Sequence, residues 1–107
     1  MGDDPELRRL LWFLLGGSRG GLNRARIIQK LRERPHNLNQ LANELKIQYK
    51  AVQHHARVLL RSALLMSTVE KYGVTYFLSP WLDGHFEIFE EICAKLRIDP
   101  ATSRSGE

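Results

Sequence analysis

The sequence predicts a mainly α-helical fold with one small β-hairpin and extra helices at both ends. Apolar residues recur at helical spacing through most of the chain, and two of the resulting helices are joined by a break of about three residues. Two short runs rich in Val, Thr, Tyr and Phe follow them. Two helices joined by so tight a turn are typical of a helix-turn-helix, and a hairpin directly after it is typical of a wing. The predicted class is therefore a winged helix-turn-helix.

Length and composition limit the classes of protein that remain. The 107 residues suffice for one domain with a thin core, so a dimer partner would help to bury apolar surface. Cys93 is the one cysteine, which excludes a disulfide-stapled secreted fold. The longest apolar run, residues 10–15, is far shorter than the roughly 20 residues needed to span a bilayer, and acidic residues precede it. We expect a cytoplasmic protein without membrane contact.

Positive charge is concentrated in one part of the chain. The formal net charge is +4, from 16 Lys and Arg against 12 Asp and Glu. Most of the basic residues lie between Arg19 and Arg61, where Glu33 and Glu44 are the opposing carboxylates. Such a block is the electrostatic footprint of a polyanion binder, although a solvated basic surface without a partner gives the same pattern.

The N-terminal half divides at glycine and proline. Residues 1–5 are expected to be disordered, and residues 6–15 to form a helix that is apolar nearly all round and thus buried on more than one side. After a glycine-rich break, Asn23 is expected to N-cap the next helix, which Pro35 ends.

The central segment, residues 23–79, is predicted to be the winged helix. Asn37 and Gln40 have the spacing of a capping box for a short helix that ends near Lys46. The next helix is expected at residues 49–61, with an inner face of Val52, Ala56, Leu59 and Leu60. Residues 65–70 and 74–79 are the predicted strands, with Gly73 supplying the positive φ of the turn.

Residues 80–98 are predicted to form one C-terminal dimerisation helix, and residues 99–107 a disordered tail. Two apolar stripes run along this helix, so that one can pack on the protomer and the other on a partner; a single broad stripe facing the core is the alternative. The heptad-like stripe comprises Leu82, Phe86, Phe89, Cys93 and Leu96, and the second comprises Trp81, His85, Ile88 and Ile92.

Four pieces of the chain resemble the ArsR-like winged-helix regulators, especially the small archaeal type. They are the scaffold helix at 26–31, the first motif helix at 38–45, the recognition helix at 49–59 and the wing at 71–79. The resemblance implies a homodimeric, sequence-specific transcriptional regulator whose two recognition helices enter successive major grooves of double-stranded DNA about 34 Å apart. It also implies that the terminal helices form the dimer, here through Leu7, Leu10, Leu11, Leu14, Leu82, Phe86, Phe89, Cys93 and Leu96.

Two positions depart from the family pattern. Ser62 and Ala63 stand where a glycine turn usually ends the recognition helix. Because alanine resists the left-handed conformation by roughly 1 kcal/mol, we expect the helix to run on and shift the wing. Gln48 occupies the N-cap position, where a Ser, Thr or Asp commonly makes the cap or phosphate contact.

Helical geometry assigns roles to the residues that would contact DNA. The outer face of the recognition helix offers Tyr49, Lys50, Gln53, His54 and Arg57. Lys50 and Arg57 can donate to guanine, and Gln53 can pair with adenine. Phosphate contacts are expected from Arg24, Arg26 and Gln40, and wing contacts from Lys71 and Tyr72. Any single one of these side chains can instead be merely solvated.

The sequence gives little support for a metal site, a cofactor site or a catalytic site. Adjacent helical residues lie about 100° apart, so His54 and His55 do not converge on one ion, and His55 is expected at the edge of the core. Neither a phosphate loop nor a nucleophile elbow is visible, so we expect no enzyme, no cofactor, no metal and no small-molecule ligand. Two other functions stay open: a winged-helix module that binds proteins, and a chromatin-like DNA binder with little sequence preference.

Overall fold

The computed structural model describes residues 2–17 and 19–101. Its helices and strands follow the order of a winged helix-turn-helix with extra helices at both ends. The helices are α1 (Pro5–Leu11), α2 (Gly21–Glu33), α3 (Leu38–Leu45), α4 (Tyr49–Arg61), α5 (Pro80–Asp83) and α6 (Phe86–Leu96), and α1 continues as a π-helical segment, Trp12–Gly16. The strands are β1 (Leu65–Ser67) and β2 (Tyr76–Leu78). The predicted fold class is confirmed.

The chain is ordered earlier than expected. Asp4 caps α1 by accepting a hydrogen bond from the Leu7 backbone, and Pro5 is the first helical residue. The other carboxylate oxygen of Asp4 accepts a hydrogen bond from the indole Nε1 of Trp81 at 2.7 Å. The expectation of disorder is therefore wrong for Asp4 and Pro5, because a cap and a partner from the far end of the chain hold them; Met1 lies outside the described residues.

Helix α2 begins at Gly21 rather than after Asn23. Gly20 adopts a left-handed conformation with φ 85°, and a side chain on Gly21 would overlap the carbonyl oxygen of Leu15. The close approach of two backbones therefore sets the start of α2. Asn23 lies within the helix and accepts a hydrogen bond from Arg26, so its predicted capping role is wrong.

The helix-turn-helix forms as local signals predict. Asn37 Oδ1 accepts from the Gln40 backbone and Gln40 Oε1 accepts from the Asn37 backbone, both at 2.8 Å, which confirms the capping box. Lys46, with φ 59°, ends α3, and α4 begins three residues later, as predicted. Gln48 makes no side-chain cap to α4.

Helix α4 stops at the predicted residue despite the alanine that follows it. Ala63 adopts the left-handed conformation with φ 63°. The Leu64 N–H donates to the Leu59 carbonyl and the Ala63 N–H to the Leu60 carbonyl, each at 3.0 Å, which is the Schellman arrangement. The expectation that α4 runs on is wrong, because these hydrogen bonds hold a strained alanine in the place of a glycine.

The wing is a short antiparallel hairpin with one added backbone pairing. Leu65 pairs with Leu78 and Ser67 with Tyr76, so both strands are shorter than predicted. Gly73 has the expected positive φ, 153°. His36, in the turn before α3, exchanges two backbone hydrogen bonds with Tyr76. The base of the wing is thus attached to the helix-turn-helix.

The C-terminal helix is broken. Gly84 ends α5, and His85 has a non-helical backbone (φ −128°, ψ 35°) before α6 starts. Both apolar stripes turn inward, since Ile88 and Ile92 are as buried as Phe89. The prediction of one continuous helix with a stripe left for a partner is therefore wrong, and the alternative of a single core-facing side applies. Of the tail, residues 102–107 lie outside the described residues, while Asp99 caps a turn by accepting from Ala101.

Candidate nucleic-acid interface

The recognition helix α4 presents one polar face to solvent. Val52, Ala56 and Leu59 are buried in the core, which orients the opposite side outward. Tyr49, Lys50, His54 and Arg57 are exposed, and Gln53 is half-buried. The arrangement of these five side chains agrees with the helical geometry that the sequence indicates.

The two adjacent histidines have different surroundings. His54 is exposed, whereas His55 is 8% exposed and lies at the edge of the core, as predicted. Their ring centroids are 5.5 Å apart and the rings are tilted by 57°. Among residues 2–17 and 19–101, no group of three His, Cys, Asp or Glu side chains is placed to hold a metal ion.

Arg24 and Arg26 are not surface cations. They are 7% and 4% exposed. The Arg24 guanidinium donates to the Leu14 carbonyl oxygen at 2.9 Å, and that of Arg26 donates to the Leu45 carbonyl oxygen. The prediction that they contact phosphate is therefore wrong: both charges lie inside the protomer and satisfy backbone carbonyls near helix ends.

Further cations of the basic block are held by carboxylates. Lys30 lies 3.8 Å from Glu33, Arg34 lies 3.1 Å from Glu44, and Arg32 lies 3.5 Å from Asp83. Arg32 also stacks on the Phe86 ring at 4.2 Å. The number of basic residues between Arg19 and Arg61 thus overstates the positive charge that is available to a polyanion.

Four exposed cations of the basic block lie on or just before the recognition helix. Lys46 precedes α4, while Lys50, Arg57 and Arg61 lie along it. None of the four forms an ion pair with another described residue. The exposed positive charge therefore lies where a helix would enter a groove, which favours binding to nucleic acid over a uniformly solvated surface.

The wing tip extends into solvent beside α4. Tyr72 is 91% exposed and Val69 is 94% exposed. The Lys71 ammonium lies 5.5 Å from the centroid of the Tyr72 ring. Both predicted wing residues are thus exposed, and their contact with DNA stays a prediction.

A groove of about 270 Å³ separates the wing from the two motif helices. All three tyrosines of the chain line it, Tyr49 from α4 and Tyr72 and Tyr76 from the wing. Gln40 is exposed nearby, with its side-chain oxygen engaged in the capping box. Its amide nitrogen is the group left to donate to a phosphate.

A hydrogen bond between buried His36 and Glu44, beneath the wing, is not evident from the sequence. His36 is 0% exposed, and its Nε2 lies 3.0 Å from a carboxylate oxygen of Glu44. Its Nδ1 lies 2.8 Å from the carbonyl oxygen of Arg34, which can only accept. The hydrogen bond to His36, with Arg34 nearby, lowers the pKa of Glu44. Only the wing's return to this turn buries His36, so no local signal reveals the pair.

The predicted dimer residues lie mostly in the core of the protomer itself. Leu10 and Leu96 are half-buried, and Leu96 packs close to Gly16. The remaining seven have at most 5% of their surface exposed: Leu7, Leu11, Leu14, Leu82, Phe86, Phe89 and Cys93. Assignment of these seven to a dimer interface is wrong, because α1 and α6 pack against each other and the core of the protomer itself encloses these side chains.

A different apolar surface is exposed on the outer side of the N-terminal segment. Phe13 is 61% exposed and Leu10 lies beside it. An open depression of about 400 Å³ is lined by these two residues together with Glu6 and Arg9. A second of about 270 Å³ reaches from them to Val58 and Arg61 of α4. We call Leu10, Phe13 and Val58 the N-terminal patch.

Comparison with known proteins gives a family match over the central part of the chain and shows the fold. Residues 23–65 match a family model described as bacterial regulatory protein, arsR family. No curated protein matches the chain. Among solved structures, the homodimeric winged helix-turn-helix DNA-binding domain of Mb0332 from Mycobacterium bovis, a possible ArsR-family transcriptional regulator, aligns with a TM-score of 0.63 at 11% identity, covering 91% of this chain and 90% of that one.

Two further structures align at similar levels. The transcriptional regulator HlyU from Vibrio vulnificus has a TM-score of 0.61 at 17% identity, over 82% of this chain and 90% of that chain. ZitR from Lactococcus lactis has a TM-score of 0.55 at 20% identity; the alignment covers 69% of this chain but 56% of ZitR. At these identities the likeness shows the fold. Within the described residues, no helix is both long and apolar enough to cross a bilayer.

Proposed function

We propose that this chain, an ArsR-like winged helix-turn-helix protein, is a transcriptional regulator. It binds double-stranded DNA sequence-specifically and acts as a homodimer. The observation that carries the proposal is the exposed face of α4, where Lys50, Gln53 and Arg57 offer base-reading groups beside unpaired positive charge. Access to DNA implies a cytoplasmic location.

Selection from a pool of random DNA duplexes, at low and at moderate salt, tests the proposal. A dimeric regulator should enrich a near-palindromic site, with half-sites about one helical turn apart. Salt-sensitive binding without enrichment would favour the chromatin-like binder. No binding even at low salt would refute the proposal and favour a protein-binding module.

The homodimer is proposed to form through the N-terminal patch. Phe13 is apolar and exposed, half-buried Leu10 lies beside it, and Glu6 and Arg9 flank them on the N-terminal helical segment. A two-fold axis brings the same patch of two protomers together, so Glu6 of one can face Arg9 of the other around the apolar centre. The charges around the patch can thus pair with those of a second copy.

Sedimentation velocity at micromolar concentration tests the dimer. We expect the wild-type protein to sediment as a dimer and Phe13→Ser to shift it towards monomer with the fold retained. Val69→Ser is the matched control, because Val69 is also an exposed apolar residue but lies in the wing, outside the patch. A wild-type monomer, or equal dissociation of both variants, would contradict the assignment.

A further inference from the structure

One buried guanidinium links the N-terminal segment to the recognition helix. Arg24, on α2, donates through Nη1 to the Leu14 carbonyl oxygen at 2.9 Å and through Nε to Nδ1 of His55 at 3.3 Å. Leu14 belongs to the π-helical segment that ends the N-terminal unit, and His55 belongs to α4. Arg24 therefore connects the last turn of one helical unit to the middle of another.

The hydrogen bond defines the protonation of His55. A guanidinium has donors and no acceptor, so Nδ1 of His55 must accept, and the ring proton must lie on Nε2. This requires a neutral imidazole. Burial, followed by the charges of Arg24 and His54, lowers the pKa of His55 to about 4, so the ring is neutral at pH 7.

Gly20 confines the same ring from another side. Its φ of 85° suits glycine, and a Cβ added to it would lie 2.6 Å from Cε1 of His55. The imidazole is thus held between the α2 guanidinium and the turn that precedes α2. Its position cannot change without moving one of them.

The hydrogen bond between Arg24 and His55 gives the recognition helix a directional contact, which its apolar contacts do not provide. Val52, Ala56 and Leu59 attach α4 to the core by burial, which is non-directional. A hydrogen bond at the edge of the helix is directional, and buried polar contacts specify one arrangement among several of similar packing. Rotation of α4 would re-aim Gln53 and Arg57.

We propose that Arg24 and His55 are positioning residues for DNA recognition, which fix the rotation of α4 by tying it to the end of the N-terminal helical unit. The proposal rests on the proposed function, since it concerns the same DNA-reading face. If the proposal holds, loss of the contact between Arg24 and His55 changes base preference rather than overall DNA affinity.

Two variants of His55 separate positioning from packing. His55→Leu keeps a buried side chain without an acceptor, whereas His55→Asn keeps an acceptor near the place of Nδ1. The quantity to measure is the affinity for the duplex that the wild-type protein enriches, divided by the affinity for a random duplex. We expect His55→Leu to lower this ratio about tenfold. The affinity for random duplex and its salt dependence should stay as in the wild type. His55→Asn should restore the ratio to within about threefold.

Arg26→Gln is the matched control, because it removes a guanidinium that is equally buried and donates to the carbonyl oxygen of Leu45, at the end of α3. The folded fraction of Arg26→Gln should show the same ratio of specific to random-duplex affinity as the wild-type protein. An unchanged ratio in His55→Leu, or an equal loss in Arg26→Gln, would refute positioning. A wild-type protein that enriches no site would instead refute the proposed function, and with it any role in base preference.

Nuclear magnetic resonance of the wild-type protein tests the link without any variant. Long-range ¹H–¹⁵N spectra at pH 7 should show His55 as the Nε2–H tautomer with an accepting Nδ1. A proton on Nδ1, or a charged ring, would overturn the proposal whether or not the variants fold.

Discussion

Replacing Ala63 by glycine should stabilise the protein. Ala63 is exposed and has φ 63°, so the methyl group adds strain and little packing. The left-handed conformation costs an L-residue about 1–2 kcal/mol. Relief of this strain by glycine is offset by roughly 0.4–1 kcal/mol, because glycine gives the unfolded chain greater conformational freedom than alanine. We therefore expect Ala63→Gly to raise the free energy of unfolding by about 0.5–1 kcal/mol, or roughly 3–6 °C in Tm.

Urea denaturation, at one protein concentration for all variants, measures this change. Ala94→Gly is the control, because Ala94 is exposed within α6 and glycine in a helix costs about 1 kcal/mol. A rise in the free energy of unfolding for Ala63→Gly and a fall for Ala94→Gly would support the reasoning. A neutral or destabilising Ala63→Gly would show that the Schellman turn does not strain this alanine.

Three further outcomes follow from the packing and from the pKa shifts. The pKa of Glu44 is lowered by its hydrogen bond to His36, so its stabilising contribution is present above its unfolded pKa and is lost as pH falls through the folded one. Glu44→Gln should therefore be less stable at pH 7, and its urea midpoint should fall less than that of the wild type on acidification. Gly21→Ala should lower the free energy of unfolding by at least about 1–3 kcal/mol, because the methyl group meets the Leu15 carbonyl, and thermal melting tests this. Burial, then Glu90, raises the pKa of Cys93 to about 11, so Ellman's reagent should react with it only as fast as the protein unfolds.

The helix-turn-helix is predictable because its signals are local. The capping box of Asn37 and Gln40 lies within four residues of sequence, and the inner face of α4 follows from a single period. The outward direction of Lys50 and Arg57 then follows from helix geometry. These elements need no information from the rest of the chain.

The errors concern residues whose surroundings come from distant segments. Arg24 is recognisable as basic, but its burial depends on Leu14 and His55, which lie 10 and 31 residues away. Apolar stripes show that a helix face is buried without showing whether the protomer or a partner buries it. For that reason Leu82 and Phe86 were assigned to a dimer although the protomer's own core encloses them.

The most direct test of the central claim compares base preference in Arg57→Ala and Lys71→Ala on the duplex enriched by the wild-type protein. If α4 reads bases, Arg57→Ala should relax the preference at defined positions and cost about 1–3 kcal/mol of binding. Lys71→Ala should weaken binding to all sequences alike and reduce the salt slope by about one. An unchanged base preference in Arg57→Ala, or no enriched duplex for the wild type, would contradict the account.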